Sequence, residues 1–287
     1  MRIAILGGGL MGHAMAERLV TYHADLIVYN RRIAHIEVLK SQGIRITDEV
    51  NNALSGVDMV ILTLSDAEAI EAVLKQISPE NWTNKLFIQM GTISPNQSIS
   101  LAQWSIDNKA QYLECPVLGS LPEARNGDLI LMAGGNQADY EAARPLLELL
   151  GKQPERIGEV GQAAAMKLAM NQLIAGLTAS FSLSLGLIES HGVDVEQFMT
   201  LLRNSALYAP TFDKKLPRMQ QRDFANPNFP TKHLLKDSHL FQDVAEQGRL
   251  DSSSLQGVIK LLDKAMAMGL SDTDYSAIYA AVSPDRK

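Results

Sequence analysis

Short apolar runs alternate with amphipathic stretches along the first half of the chain. A continuous apolar run over four to seven residues is typical of a buried strand, and apolar positions recurring every three to four residues are typical of a helix. This pattern predicts strands over 2–6, 25–30, 58–64, 86–90, 111–115 and 128–133, and helices over 10–22, 33–42, 66–77, 96–108 and 137–149. Such alternation predicts a mainly parallel sheet that is covered by helices on both faces.

The strands end near residues 158–162, and the rest of the chain keeps only the helical period. One long apolar helix is predicted over 162–188, where Lys167 is the only charged residue. Shorter helical patterns follow over 194–204, 210–221, 231–248, 252–268 and 273–282. We therefore predict an α/β domain over 1–161, joined through the long helix to an all-α domain over 162–287 that serves substrate binding and dimerisation.

Composition excludes several classes of protein. Hydrophobic residues make up 46% of the 287 positions, which is enough for a substantial core and argues against disorder. A net charge of -6 argues against a general nucleic-acid surface. The single cysteine, Cys115, excludes an intramolecular disulfide and suits a reducing compartment. We expect a cytoplasmic protein without a signal peptide, because glycines interrupt the first apolar run and Glu17 and Arg18 soon follow.

The stretch 162–188 is long enough to cross a bilayer. However, it contains amides, hydroxyl groups and Lys167, and its apolar content depends largely on alanine. We therefore expect a helix of a soluble protein rather than a membrane span. Its lack of charge predicts a homodimer or homotetramer that assembles through the helical domain.

A glycine-rich segment follows the first predicted strand directly. Gly7, Gly9 and Gly12 fit G-x-G-x-x-G between a strand and an amphipathic helix, the context that a dinucleotide-binding loop requires. The first glycine permits a tight turn, the second lets the backbone approach a pyrophosphate, and the third allows close helix–strand packing. The helix N-terminus adds N–H groups and positive potential for phosphates. We predict a Rossmann-type cofactor site, with Leu10 and Met11 as further contacts.

The residues after the second predicted strand indicate which dinucleotide is bound. An NAD-selective site usually carries Asp or Glu there to hold the ribose hydroxyls, whereas this chain has Asn30-Arg31-Arg32. A carboxylate would repel a 2′-phosphate, but a guanidinium forms charge-assisted hydrogen bonds with it. We therefore predict NADP(H) in preference to NAD(H), in contact with all three residues. Leu64 and Ser65, which end another predicted strand, lie where this fold places cofactor contacts.

Four segments, in this order, carry a resemblance to a known family. They are 6-LGGGLMGHAMAERL-19, 114-ECPVLGSLPEARNGDLILMAGG-135, 158-GEVGQAAAMKLAMNQ-172 and 229-FPTKHLLKDSHL-240. Together they resemble the β-hydroxyacid dehydrogenase family, which includes 3-hydroxyisobutyrate dehydrogenases and glyoxylate/succinic semialdehyde reductases and shares its NAD-binding domain type with 6-phosphogluconate dehydrogenase. The resemblance runs nearly from end to end. It implies an oxidoreductase that transfers hydride to or from a small substrate.

The third segment carries the predicted chemistry. Lys167 and Asn171 are four residues apart and share one face of the predicted helix. A lysine ammonium can stabilise the alkoxide that forms when a carbonyl is reduced, and can donate the proton it needs. Apolar surroundings would lower the pKa of Lys167 towards the working pH. The resemblance also implies that both residues are catalytic and bind substrate; the alternative is a lysine whose stem only covers apolar surface.

The second segment departs from the family pattern. Members usually have Asp-Ala-Pro-Val-Ser-Gly-Gly, whose Ser-Gly-Gly part helps to bind the substrate carboxylate; here the aligned triplet is Leu118-Gly119-Ser120. Leu118 brings no hydroxyl group, although the N–H groups of Gly119 and Ser120 can bind an anion and the Ser120 hydroxyl can compensate. The resemblance implies that all three contact the substrate. The leucine favours a larger or less polar carbonyl substrate.

Further contacts are implied by the resemblance alone. Thr92 matches the second residue of a family Ser-Thr pair beside nicotinamide and substrate, while Gly91 replaces the serine. In the fourth segment, Lys236 resembles a lysine that binds the cofactor, and Asp237 and Phe229 match positions that border the substrate. The sequence has no His/Cys/Asp cluster with metal-ligand spacing, so we predict no metal.

We predict an NADP(H)-dependent dehydrogenase or reductase acting on CH–OH groups. It would transfer hydride between NADPH and a small aldehyde or keto acid, such as succinic semialdehyde or glyoxylate, or the matching hydroxy acid, with Lys167 as general acid/base. Two alternatives remain open. One is an imine reductase-like enzyme, which Leu118 favours, although that family usually carries another residue in place of the lysine. The other is a non-catalytic NADP(H)-binding scaffold, against which Lys167 and Asn171 argue.

Overall fold

The strands of the first half form one mainly parallel sheet. The computed structural model describes residues 1–22 and 25–284. The strands within those residues are β1 (Arg2–Leu6), β2 (Asp25–Tyr29), β3 (Arg45–Thr47), β4 (Met59–Leu62), β5 (Leu86–Gln89), β6 (Gln111–Glu114), β7 (Val117–Leu118), β8 (Ile130–Gly134) and β9 (Glu155–Gly158). Their order is β3-β2-β1-β4-β5-β6-β8-β7, with β9 paired to β8. β1 to β6 run parallel, so their carboxyl ends share one edge, whereas β8 runs antiparallel to β6.

Helices cover the sheet and make up almost all of the second half. The α-helices of the described residues are α1 (Leu10–Val20), α2 (Val50–Leu54), α3 (Ala67–Leu74), α4 (Pro95–Asp107), α5 (Leu121–Asn126), α6 (Gln137–Leu150), α7 (Gln162–Ser190), α8 (Val195–Arg203), α9 (Pro210–Gln221), α10 (Thr231–Gln247), α11 (Ser253–Ala267) and α12 (Ile278–Val282). Short 3₁₀ helices lie at Ile33–His35, Glu37–Gln42, Pro79–Asn81 and Tyr275–Ala277. The chain divides into two units, Met1–Lys167 and Leu168–Lys287, and the division falls inside α7.

The central strands are almost entirely apolar because both faces of the sheet are covered. In β1, Ile3 and Ile5 belong to one buried cluster, whereas Ala4 and Leu6 belong to a second cluster on the opposite face. Successive side chains of a strand point to opposite faces, so a strand buried on both sides needs apolar residues at every position. This is the physical basis of the uninterrupted apolar runs in the sequence.

The second unit is helical and has its own core. Phe181 of α7 stacks on Phe212 of α9 with ring centroids 4.6 Å apart. A buried ion pair joins α9 to the segment before α12, since Lys215 Nζ lies 2.8 Å from Oδ1 of the fully buried Asp274. The Lys215 ammonium also lies 4.1 Å from the centroid of the Tyr275 ring. These contacts fix the helices that pack beside α7 within this unit.

The predicted fold class is confirmed: a Rossmann-type α/β domain is followed by an all-α domain, and the long helix α7 joins them. The helix predicted over 33–42 is wrong, because that stretch forms two 3₁₀ segments broken at Ile36, whose φ is -120°. The short strands β3, β7 and β9 and the one-turn helix α2 were not predicted. The helix predicted over 273–282 begins as a 3₁₀ turn.

Candidate active site

Three glycines shape the turn between β1 and α1. Gly7 has a φ of +118°, and a Cβ there would lie 2.8 Å from the carbonyl oxygen of Thr63. A Cβ on Gly12 would lie 2.0 Å from the carbonyl oxygen of Gly7. Both positions therefore require glycine for reasons internal to the fold. Gly9 differs, because no atom lies within 4 Å of the place its Cβ would take. That open space above the backbone is what the approach of a pyrophosphate needs.

The N-terminus of α1 is suited to an anion. Gly9 is its N-cap residue, no side chain of the described residues caps it, and its first turn holds no acidic residue. The first hydrogen bond of the helix runs from the His13 N–H to the Gly9 carbonyl, so the N–H groups of Leu10, Met11 and Gly12 have no acceptor inside the helix. Such N–H groups and the helix dipole favour a phosphate. The residues present therefore fit a dinucleotide.

The ends of β1, β4 and β5 come together at the carboxyl edge of the sheet. The Thr63 hydroxyl, just after β4, donates to the Gly7 carbonyl at 2.6 Å. A Cβ on Gly91, just after β5, would lie 2.8 Å from the Leu64 carbonyl oxygen, which explains why this position cannot carry the serine of the family pattern. The structure thus brings the glycine loop, Leu64 with the exposed Ser65, and the half-buried Thr92 to one edge.

Asn30, Arg31 and Arg32 follow β2, the neighbour of β1, at this same edge. The Asn30 N–H donates to the Thr47 carbonyl at 3.1 Å, and its side-chain amide donates to the Arg32 carbonyl at 2.9 Å. These bonds order the turn after β2. The side chains of Arg31 and Arg32 are exposed, and both residues follow the strand that pairs with β1.

Ser120, the last residue of the segment Leu118–Ser120, is already engaged by a carboxylate of the chain. The Ser120 N–H donates to Glu123 Oε2 at 2.8 Å, and the Ser120 hydroxyl donates to the same oxygen. This is a capping box at the start of α5. Gly119, with a φ of +132°, makes the turn before it. The two Ser120 donors that the sequence offered for a substrate carboxylate are therefore both paired with Glu123.

The N-terminus of α7 is held by Glu114, the last residue of β6. Its Oε1 accepts hydrogen bonds from the N–H groups of Gly161 at 2.8 Å, Ala163 at 2.8 Å and Ala164 at 3.1 Å. The carboxyl group is buried, with 1% of the residue exposed. Burial raises the pKa of Glu114, while the Ser98 hydroxyl beside it and the three N–H groups favour the charged form. Lys167, half-buried, lies in the next turn of α7.

In the second unit, Asn171 forms a buried hydrogen-bonded pair with α10. Its amide Nδ2 donates to Asp237 Oδ2 at 2.6 Å, and both residues are 2% exposed. Asp237 Oδ1 lies 2.7 Å from Lys236 Nζ. An ionised carboxylate only accepts hydrogen bonds, so the amide NH₂ must face Asp237 and the carbonyl oxygen must face away. That oxygen, Asn171 Oδ1, is buried and has no hydrogen-bond partner among the described residues.

Phe229 precedes α10 and packs edge-to-face on Tyr275, with ring centroids 5.8 Å apart. Its backbone carbonyl accepts the Tyr275 N–H at 3.1 Å. The second unit thus places Asn171, Lys236 and Asp237 together, and fixes Phe229 through Tyr275.

Sequence reasoning assigned no role to Thr63, Glu114 or Glu123. A charged residue that ends an apolar strand is a recognisable signal for Glu114, since such residues are rarely buried without a partner. The pattern S-x-x-E at 120–123 is a recognisable capping box. Thr63 carries no such signal, because its contact with Gly7 depends on β1 and β4 being neighbours in the sheet.

Comparison with known proteins supports a nicotinamide dinucleotide-binding protein over residues 2–282. The family profile described as the NAD binding domain of 6-phosphogluconate dehydrogenase matches residues 2–161. The profile described as NAD-binding of NADP-dependent 3-hydroxyisobutyrate dehydrogenase matches residues 161–282. Both descriptions name a nicotinamide dinucleotide, in agreement with the geometry of the loop between β1 and α1.

Two similar relatives come from Arabidopsis thaliana. Glyoxylate/succinic semialdehyde reductase 2, chloroplastic, is 31% identical over 287 residues, which cover 98% of this chain and 79% of that protein. Glyoxylate/succinic semialdehyde reductase 1 is 28% identical over 290 residues, which cover 100% of both. Among solved structures, Mycobacterium tuberculosis 3-hydroxyisobutyrate dehydrogenase with L-serine has the same fold, with a TM-score of 0.88 at 21% identity over 98% of each chain. The chain belongs to the β-hydroxyacid dehydrogenase family of NAD(P)-dependent oxidoreductases.

Proposed function

We propose that the protein is a cytoplasmic, NADP(H)-dependent reductase of small aldehydes and keto acids, such as succinic semialdehyde and glyoxylate, which also oxidises the matching hydroxy acids. The observation that carries the proposal is the position of Lys167. It is half-buried in the second turn of α7, in the same unit as the dinucleotide loop, and is the only charged residue of α7 before Glu189. A proton donor is what the reduction of a carbonyl group needs beside a hydride source.

The chemistry divides between the cofactor and the chain. A bound nicotinamide supplies or accepts the hydride at the substrate carbon. The Lys167 ammonium donates a proton to the carbonyl oxygen and stabilises the negative charge that develops on it. In the oxidation direction, the neutral amine of Lys167 takes the hydroxyl proton.

Asn171 supplies a fixed acceptor in this mechanism. Because its NH₂ group is bonded to Asp237, its Oδ1 is held away from α10 as a buried oxygen. A buried acceptor without a partner costs about 1–3 kcal/mol, so a donor that reaches it is bound favourably. We assign this oxygen to a hydroxyl group of the substrate.

The substrate test is NADPH oxidation across matched pairs of carbonyl compounds. A substrate carboxylate gains little from Leu118 or from Ser120, whose N–H and hydroxyl already donate to Glu123. We expect turnover of succinic semialdehyde and of its uncharged analogue butanal with kcat/KM values within about tenfold, or about 1.4 kcal/mol, because both Ser120 donors that could bind the carboxylate are already bonded to Glu123. Glyoxylate belongs in the same panel. A hundredfold preference for the acid would contradict the role of Glu123.

An imine reductase is the second candidate, and Leu118 is the residue that favours it. Cyclic imines therefore belong in the panel, beside the aldehydes. Turnover of imines without turnover of any carbonyl compound would replace the proposed function. Tight NADPH binding without turnover of any member would instead support the scaffold alternative.

Cofactor preference is tested at Arg31 and Arg32. Each exposed guanidinium can form a charge-assisted hydrogen bond to the 2′-phosphate, worth about 1.5–3 kcal/mol. Alanine at either position should weaken NADPH binding by about 10- to 100-fold and leave NADH binding nearly unchanged. Fluorescence titration with both nucleotides measures this difference. Arg45→Ala, at the amino end of β3, is the control and should change neither affinity. Tighter binding of NADH by the wild-type protein would overturn the assignment.

We also propose that a second copy of the chain covers the apolar face of α7. Its large exposed side chains are Met166, Met170, Leu173, Leu177, Leu183 and Leu187, which lie along one side of the helix. α7 is also long and apolar enough to cross a membrane, with 33% of its most apolar window buried. Light scattering should give a dimer or tetramer. Leu177→Glu should reduce the mass, and Leu250→Glu, outside α7, should not. A monomeric wild type, or flotation with lipid vesicles, would contradict the proposal.

A further inference from the structure

Glu114 is placed where it can fix the start of the helix that carries Lys167. The residue before α7 is Gly161, which has no side chain and cannot cap the helix itself. The capping oxygen comes instead from the end of β6, 47 to 50 residues earlier in the chain. A single carboxylate oxygen thereby binds three N–H groups at the N-terminus of α7.

The helical spacing links these bonds to Lys167. Two of the donors, Ala163 and Ala164, lie four and three residues before the lysine. Residues three and four apart share a face of an α-helix, so the turn that Glu114 holds lies directly beneath Lys167. A shift of this turn would move the lysine by a similar distance. The ammonium group is therefore tied, through backbone bonds, to the carboxyl edge of the sheet.

The opposite strand is adapted to the carboxylate. Gly134 of β8 pairs with Glu114 in the register of the sheet. A Cβ at position 134 would lie 2.4 Å from Glu114 Oε1, 2.8 Å from Cγ and 3.0 Å from Cδ. The side chain therefore occupies the space that a larger residue would take. Gly134 leaves room for this carboxyl group, and Gly161 donates one of the N–H groups that it accepts.

The arrangement is unfavourable for a simple helix cap. Glu114 Oε2 is buried without a hydrogen-bond partner among the described residues. A serine, threonine or aspartate at the N-cap position would stabilise the helix end without burying a carboxylate. What a local cap cannot do is bind the helix to β6. Because the acceptor, Glu114 Oε1, belongs to β6, its hydrogen bonds connect the N-terminus of α7 to that strand.

We propose that Glu114 is a positioning residue for Lys167: its Oε1 sets where the second turn of α7 stands relative to the carboxyl edge of the sheet. The inference rests on the proposed role of Lys167 as the proton donor. Only the oxygen acceptor is required, and its charge is not. Glutamine can present the same oxygen, whereas alanine cannot.

The test compares Glu114→Ala, Glu114→Gln and Asp139→Ala. Asp139 is the matched control, because it is a buried carboxylate of the same unit that binds Gln111 and Asn136 and lies on α6. Glu114→Ala should lower kcat by about 10- to 100-fold, since displacements near 1 Å cost rates of this size, while KM and the NADPH dissociation constant change by less than about threefold. Glu114→Gln should keep kcat within about threefold of wild type. Asp139→Ala should lower the melting temperature and leave kcat unchanged.

A double-mutant cycle covers the case in which Glu114→Ala does not fold. Gly134→Ala displaces the carboxylate without removing it and should lower kcat in the same way. In the Glu114→Gln background, Gly134→Ala should lower kcat by the same factor as in the wild type. In a folded Glu114→Ala background, Gly134→Ala should leave kcat unchanged, because no side chain then occupies the space beside position 134.

Three results would overturn the inference: kcat in Glu114→Ala equal to that of Asp139→Ala, kcat in Glu114→Gln as low as in Glu114→Ala, or an unchanged kcat in Gly134→Ala. A different result would contradict the proposed function itself, namely wild-type activity in Lys167→Ala. An inactive Lys167→Ala beside a fully active Glu114→Ala would remove only the role of Glu114.

Discussion

Lys167→Ala is expected to lower kcat for aldehyde reduction by about 10³-fold, within the range that positioned general acids contribute. The proton would then have to come from water, and the developing alkoxide would lose its only lysine ammonium on this stretch of α7. NADPH binding should change by less than about threefold, because the dinucleotide loop is built by residues of β1 and α1. Steady-state kinetics and a fluorescence titration of NADPH measure the two quantities on one preparation.

Lys167→Met separates the charge of the lysine from its apolar stem. Methionine keeps an unbranched stem of similar length, so it preserves any covering of apolar surface. If the stem alone matters, Lys167→Met will be active and Lys167→Ala will be unstable. If the ammonium matters, both will fold and both will be inactive. Lys260→Met, on the surface of α11, is the control for the substitution itself. Retained aldehyde turnover in Lys167→Met would remove the proposed mechanism.

Gly9→Ala and Gly12→Ala are expected to fail in different ways, although the two glycines belong to one loop. A Cβ at position 12 meets the Gly7 carbonyl oxygen at 2.0 Å, and a backbone atom cannot move aside without distorting β1. Gly12→Ala should therefore cost about 3 kcal/mol of unfolding free energy. A Cβ at position 9 meets no protein atom within 4 Å, so Gly9→Ala should fold normally. It should still weaken NADPH binding by about 10- to 100-fold, by obstructing the approach of the pyrophosphate to the backbone.

Denaturant unfolding and nucleotide titration distinguish these two outcomes. Gly257→Ala on α11 is the matched control, because a Cβ there also meets no atom within 4 Å. Gly257→Ala should keep or slightly raise stability, since alanine is a better helix former, and should not affect NADPH binding. Wild-type affinity in Gly9→Ala would mean that the pyrophosphate does not lie over Gly9.

The strands that were predicted most accurately are buried along almost their whole length. β1, β2, β5 and β6 were placed within one residue at each end, and β4 and β8 within two, because most positions of a strand covered on both faces are apolar. β3, β7 and β9 have two to four residues and no distinctive pattern. They exist because a neighbouring strand offers them hydrogen bonds. The formation of such strands depends on pairing with a neighbouring strand, and their own residues do not predict it.

The stretch over 33–42 shows how a correct pattern led to the wrong helix type. Its apolar residues Ile33, Ile36 and Leu39 recur at intervals of three, and the last two are fully buried. An interval of three fits an amphipathic α-helix over a short distance. It also fits a 3₁₀ helix, in which residues i and i+3 lie directly above one another. The sequence pattern alone does not separate the two.

The sequence by itself determined the residues whose role depends on their near neighbours. The three glycines of the loop, the arginines after β2 and the i,i+4 pair of Lys167 and Asn171 were all recognisable, because a turn or a single helix face defines each of them. Tertiary structure alone decided how these residues are held. Asn171 is oriented by Asp237, 66 residues away, and α7 is capped by Glu114 from β6. Such contacts depend on the order of strands in a sheet and the packing of helices, which bring together residues that no local spacing relates.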